Sequence, residues 1–133
     1  MTQDETALAE LTEISSQVEA AVLFDRDGSV AASTLPDERA ARLASSGRAL
    51  FEAAEQMRDG ELSQLEAATG DGSVFVVREG NRLIAAVAGP EPTAGLVFYD
   101  LRSSLRKAAE RKKPKPKAKP KPKPKRAKTS GSS

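Results

Sequence analysis

Residues 83–105 read LIAAVAGPEPTAGLVFYDLRSSL, and the change of pattern inside this stretch decides the architecture. It opens on Leu83-Ile84-Ala85-Ala86-Val87, an apolar run of strand length with no polar face to leave in water. Gly89-Pro90-Glu91-Pro92 ends that run, because proline brings no N–H to a sheet ladder and bars the residue before it from helix. Thr93 suits a helix N-cap. Leu96, Val97, Leu101, Leu105 and Ala108 then recur at helical spacing, which predicts a helix over about 94–110.

Working backwards, Gly80-Asn81 is a turn, preceded by a second continuous apolar run, Val74-Phe75-Val76-Val77. Both runs belong centrally in a sheet covered on both faces. Gly70-Asp71-Gly72 turns the chain once more. Before it, residues 61–69 form the weakest strand, with Gln64 and Glu66 interrupting the apolar positions, as expected of an edge strand. Asp59-Gly60 closes the longest helix, residues 36–58. Pro36 is pre-organised for its first turn, and Asp37 and Glu38 suit the positive end of its dipole. Its apolar or small positions run Ala40, Leu43, Gly47, Leu50, Ala54, Met57, and Phe51 widens the stripe. Gly47 costs about 1 kcal/mol relative to Ala within a helix. With Ser45 and Ser46 it makes a small-residue notch. Two readings fit that notch: close packing on the molecule's own sheet, or a close helix–helix approach between subunits.

Residues 20–33, AAVLFDRDGSVAAS, form a hairpin turning at Asp27-Gly28. A calcium loop starting at Asp25 would need glycine at its sixth position and an acid at its twelfth; Val30 and Pro36 stand there instead. Residues 4–18 place Leu8, Leu11, Ile14 and Val18 on one helical face, and Thr2 with Glu5 fits a capping box. The order is helix, two strands, helix, three strands, helix. Helices at both ends of an antiparallel meander indicate an α+β fold.

Charge divides the 133 residues in two. The formal net charge of +2 combines residues 1–110, with 10 basic against 19 acidic side chains (−9), and residues 111–133, with 11 basic and no acidic ones (+11). The expected organisation is one folded domain over 1–110 and a disordered Lys/Pro-rich tail over 111–133. The tail has no Val, Ile, Leu, Met or aromatic residue, so it cannot build a core. Its alternating Lys and Pro favour extended polyproline II, reaching about 70 Å at about 3.1 Å per residue. The absence of Cys excludes disulfides and thiolate chemistry, and the absence of His removes Ser-His-Asp triads and imidazole catalysis. No apolar run approaches the roughly 20 residues that span a bilayer. The acidic start MTQDETALAE lacks the basic n-region of a signal peptide. A cytoplasmic protein is expected.

Three stretches together, AAVLFDRDGSVAAS (20–33), RDGELSQLEAATGDGSVFVVREG (58–80) and LIAAVAGPEPTAGLVFYDLRSSL (83–105), resemble the Roadblock/dynein light-chain family, in particular its bacterial regulators of Ras-like GTPases. The resemblance covers about residues 4–110. It implies an α-β-β-α-β-β-β-α sandwich: a five-stranded antiparallel sheet with helices on both faces. It also implies a dimer in which the edge strands pair and the long helices lie together. The implied interface takes in Leu43, Ser46, Gly47 and Leu50 of the long helix, with Leu62, Gln64, Leu65, Glu66 and Ala67 around the edge strand. Both homodimers and heterodimers occur in the family. The implied function is a non-catalytic regulator or scaffold of a small Ras-like GTPase.

No catalytic constellation, cofactor motif or metal-ligand set accompanies this layout. There is no phosphate loop, and Gly70-x-Gly72 precedes a strand, not a helix. An arginine finger would need one exposed Arg on a stiff element; Arg26, Arg58, Arg78 and Arg82 lie at or near turns, but ordinary surface charge explains each. Glu10, Glu13, Glu52, Glu55 and Glu66 read as solvated surface. The tail is similar to the Lys/Pro/Ala tails of linker-histone-like proteins. Its Arg111, Lys112, Lys113, Lys115, Lys117, Lys119, Lys121, Lys123, Lys125, Arg126 and Lys128 form a polyanion-binding arm. Nucleic acid, an acidic protein surface (this chain's own body included) and anionic lipid are its candidate partners, lipid the least supported because no acyl site or apolar anchor is present. An alternative function is therefore a nucleic-acid-associated protein whose domain dimerises two basic arms.

Overall fold

At the start of the chain the Thr2 hydroxyl accepts the Glu5 N–H at 3.0 Å, while the Glu5 carboxylate accepts the Thr2 N–H at 2.9 Å. This is the expected capping box, and it opens helix α1, Gln3–Ile14. The computed structural model describes residues 2–57, 62–68 and 70–112, with residues 110–112 as backbone only. After α1 come β1 (Val18–Asp25), β2 (Val30–Ser33), α2 (Asp37–Met57), β3 (Gln64–Ala68), β4 (Ser73–Glu79), β5 (Arg82–Ala88) and α3 (Ala94–Lys112). Every expected element is present, and the fold is α+β. Two boundaries differ: β3 begins at Gln64, with Leu62 and Ser63 before it, and α1 stops at Ile14, not at residue 18. Ser15 takes extended dihedrals, and Val18 instead pairs with Ala88 in the sheet. Ile14, placed on the buried face by periodicity, is 64% exposed.

The strands form one antiparallel sheet in the order β2-β1-β5-β4-β3. The β1-β2 hairpin and the β3-β4-β5 meander are local, but the join between β1 and β5 spans about 60 residues and pairs Ala21 with Ala86 and Leu23 with Ile84. Strict alternation then sorts side chains to two cores. Ala21, Leu23, Phe75, Val77, Ile84 and Ala86 pack under α1 and α3; Val22, Phe24, Val76, Leu83 and Ala85 pack under α2. In the first core Phe75 meets Phe98 edge to face, with centroids 5.0 Å apart.

The face α2 turns to the sheet is not the one hydrophobicity alone selects. The buried residues are Ala40, Ala44, Gly47 and Phe51, whereas Leu43 is half-buried, Leu50 is 39% exposed and Met57 is 83% exposed. Close approach demands small side chains beneath the helix centre, and leucines there would hold it off. A Cβ on Gly47 would lie 3.1 Å from Ala85 Cβ, so this glycine is accounted for by packing on its own sheet.

The hairpin turn matches its expected chemistry. Gly28 has φ +95° and donates its N–H to the Asp25 carbonyl at 2.8 Å, and the Ser29 N–H donates to the Asp27 carboxylate at 2.8 Å. That bond holds the Asp27 carboxyl below its ordinary 3.8. Two arginines read as surface charge are structural. Arg82 forks onto Asp4 at 3.0 and 3.3 Å and lies 3.1 Å from Asp25, tying α1 to the sheet; its pKa is raised, chiefly by the hydrogen bonds to Asp4. Arg78, with its side chain 10% exposed, spans from Phe51 to the chain before β3. Arg26 pairs with Glu55 at 3.2 Å, and Arg58 lies outside the described residues. Glu10, Glu52 and Glu55 are likewise in ion pairs, with Lys107, Arg48 and Arg26, and are not simply solvated.

Candidate partner interface

One helix cannot cover a five-stranded sheet. α2 lies over β1, β2, β4 and β5, and the rest of that face stays open. A groove of about 500 Å³ results, floored by Ala20, Val74 and Val87 and walled by Leu35, Leu43 and Ser46. Arg39, Arg42 and Glu19 form its charged rim. The floor follows from register: Ala20 shares a face with Val22, Val74 with Val76, and Val87 with Ala85. On the outer flank of α2, Leu50 continues the line of Leu43 seven residues on, exposed to solvent.

Beside the groove runs β3, paired among the described residues only with β4 and therefore an edge. Leu65 and Ala67 stand opposite Val76 and Val74, on the α2 face, and are half-buried. Gln64 and Glu66 stand opposite Val77 and Phe75, on the α3 face; the Gln64 side-chain oxygen accepts from Arg102. The strand carries one charge, Glu66, so little in its own side chains opposes pairing along its free edge.

Arg78 positions the approach to this edge. Its Nε and Nη2 donate to the Leu62 carbonyl at 3.2 and 3.0 Å, its Nη1 to the Gly80 carbonyl at 3.1 Å, and its guanidinium stacks 5.8 Å from the Phe51 ring centre. Leu62 is thereby held against the α2-side core together with Leu65 and Val74.

Of the residues assigned to an interface, Leu43, Ser46, Leu50, Leu62, Leu65 and Ala67 thus share the α2 side. Gly47 is turned inward to the sheet, and Gln64 and Glu66 point to the other face. Sequence reasoning missed Ala20, Leu35, Val74 and Val87. Period-two alternation carried forward from Val76 and Ala85 would have found Val74 and Val87, but their continuous apolar runs hide which face each residue takes. Of the basic arm, Arg111 and Lys112 fall on the last turn of the α3 backbone; Lys113 onward lies outside the described residues. Among the described residues no group of three His, Cys, Asp or Glu could hold a metal ion, and no helix is long and apolar enough to cross a membrane.

Comparison with known proteins agrees with this geometry. The sequence pattern of the Roadblock/LC7 domain matches residues 4–88. No curated protein sequence matches the chain. Among solved structures, a Roadblock/LC7 domain from Streptomyces avermitilis superposes with a TM-score of 0.73 at 19% identity, covering 80% of this chain and 95% of that one. MglB of Myxococcus xanthus gives 0.68 at 15% identity, covering 81% and 86%. An MglB in a tetrameric arrangement gives 0.59 at 21% identity, covering 83% and 93%. Identities this low speak for the shared fold, whereas the pattern match extends over more than half of the sequence. The chain belongs to the Roadblock/LC7 domain family.

Proposed function

We propose that this protein is a non-catalytic, dimeric regulator or scaffold of a small Ras-like GTPase, acting in the cytoplasm. The observation that carries the reading is the open apolar groove beside α2, continuous with the free edge of β3. A second copy related by a twofold axis would supply both missing parts. Its β3 would extend the sheet across the axis, and its α2 flank would cover Leu43, Leu50 and the groove floor. Both MglB and the Streptomyces domain share the fold that builds this surface, and one MglB structure is a tetrameric arrangement. The GTPase assignment rests on the resemblance to the bacterial GTPase regulators of this family. The dimer, not a catalytic side chain, would be the tool, clamping the loops of the GTPase.

Sedimentation of the full chain tests the assembly. The wild type is expected to run as a dimer, and Ser46→Arg with Leu50→Arg as a monomer with an unchanged circular dichroism spectrum. Both sites are exposed, so folding is spared. Hydrolysis and exchange by a candidate GTPase are then measured with both forms. A wild type that sediments as a monomer sinks the dimer. GTPase binding that vanishes at moderate salt sinks the regulator, because it assigns binding to the charged arm.

The run of 11 basic residues favours a second role, attachment to nucleic acid through paired arms. Retention on DNA that falls steeply with salt supports it. Retention unchanged when the tail lysines are replaced by glutamine refutes it.

A further inference from the structure

On the opposite side of the sheet, α1 and α3 leave a second cleft, of about 260 Å³, between Leu11 and Ile14 of α1 and Tyr99 and Asp100 of α3. Ile14 is 64% and Tyr99 69% exposed, so an aliphatic and an aromatic side chain stand open at its walls. Asp100 also lines the cleft, is only 8% exposed, and makes no hydrogen bond or ion pair to any described residue. Its carboxylate oxygens are not among the buried atoms that lack a partner, so they face the water of the cleft, open to a cation. The other acid here, Glu10, already holds Lys107 at 3.3 Å, and Ser104 donates to the Ala7 carbonyl. Asp100 is therefore the anionic position still to be filled, and its occupant should be a cation on a chain that fits an aromatic-walled groove.

We propose that the occupant is the chain's own Lys/Pro segment, residues 113–128. Polyproline II segments dock in grooves walled by aromatic side chains, since proline rings pack flat on them and little ordering entropy is lost. In this segment lysines alternate with the prolines, offering an ammonium to Asp100 and to the Tyr99 ring face. It carries nine basic and no acidic side chains, opposite a body of net −9. The reach is ample. α3 ends at Lys112, five residues past Lys107 of the cleft. Running back from there to Tyr99 takes about 20 Å of helix length, roughly seven extended residues. Tethering brings effective concentrations to the millimolar range, so a contact too weak to hold a free peptide still forms. The inference does not depend on the GTPase reading or on the dimer. Its consequence is self-masking: an arm seated on α1 and α3 is withheld from polyanions until they compete it off.

The sequence lacks cysteine, so Ala118→Cys in the full chain offers a unique thiol for a nitroxide. Amide signals of Ile14, Tyr99 and Ser103 are expected to lose intensity next to the label, while Leu43 and Val74 across the sheet keep theirs. The loss should disappear in Asp100→Asn and in Tyr99→Ser, and at about 1 M salt, where screening shortens to about 3 Å. Tyr99 is exposed, so its replacement leaves folding intact even if Asp100→Asn does not. Broadening spread evenly over both faces, or unchanged by both substitutions, overturns the proposal. So does broadening that appears equally when isotope-labelled chains without nitroxide are mixed with nitroxide-bearing chains, which would assign the cleft to the arm of a second copy.

Discussion

Replacing Arg78 by Met keeps most of the side chain's length and removes its charge and donors. The guanidinium donates twice to the Leu62 carbonyl and stacks on Phe51, with its side chain 10% exposed. Hydrogen bonds from charged donors contribute about 1.5–3 kcal/mol, and a cation–π contact about 0.5–1 kcal/mol. The contact to Glu55, at 4.0 Å, adds little. Arg78→Met should therefore cost about 2–4 kcal/mol. With a urea slope of about 2 kcal/mol per molar, the unfolding midpoint falls by about 1–2 M. Protein concentration must be held fixed, because self-association would otherwise contribute to the apparent stability. Hydrogen exchange supplies a local readout: Leu65 and Ala67 amides should exchange faster, while Ala85 and Ile84 change only with global stability. A loss under about 0.5 kcal/mol, as for an ordinary surface substitution, with β3 exchange unchanged, would refute the role assigned to Arg78.

Gly72→Ala places a Cβ 2.4 Å from the Ala88 carbonyl oxygen and should cost at least about 1–3 kcal/mol in chemical denaturation, whereas Gly70, with nothing within 4 Å, accepts Ala with little change. Equal effects at the two sites would contradict the β4–β5 packing. Gly47→Ala gains about 1 kcal/mol of helix propensity but meets Ala85 Cβ at 3.1 Å, an overpacking worth about 1–3 kcal/mol, so a net loss of stability is expected and a stabilised protein would count against it. The Asp27 carboxyl should titrate below 3.8 by carbon-detected NMR. Its folded value is depressed, so its contribution to stability is present above the ordinary value and is lost as pH falls through the lower one. A midpoint at or above 3.8 would argue against the Ser29 hydrogen bond.

Local chemistry made the elements legible. Asp27-Gly28 and Gly80-Asn81 mark reversals through residues whose backbone preferences act wherever they stand, and the capping box of Thr2 and Glu5 lies within one turn; Asp59-Gly60, expected to end the long helix, lies outside the described residues. The polarity of Gln64 and Glu66 was enough to place β3 at an edge. The candidate interface was legible only in outline. Leu43, Ser46 and Leu50 were identifiable as one side of a helix, but Gly47 was grouped with them because periodicity does not register volume.

Residue order along the chain by itself determined the sequence of helices and strands, the α+β class and the separation of an acidic body from a basic arm, since these follow from periodicity, turn residues and charge within short windows. Tertiary structure alone decided the pairing of β1 with β5, because strands about 60 residues apart carry no local mark of being neighbours. It alone turned α2 onto Ala40, Ala44 and Gly47, because the helix sits as close to the sheet as its smallest side chains permit. It alone drew Arg78 and Arg82 inward, where each found acceptors far along the chain. And it left Asp100 buried beside an open cleft without a partner, a juxtaposition that exists only once α1 and α3 have packed together.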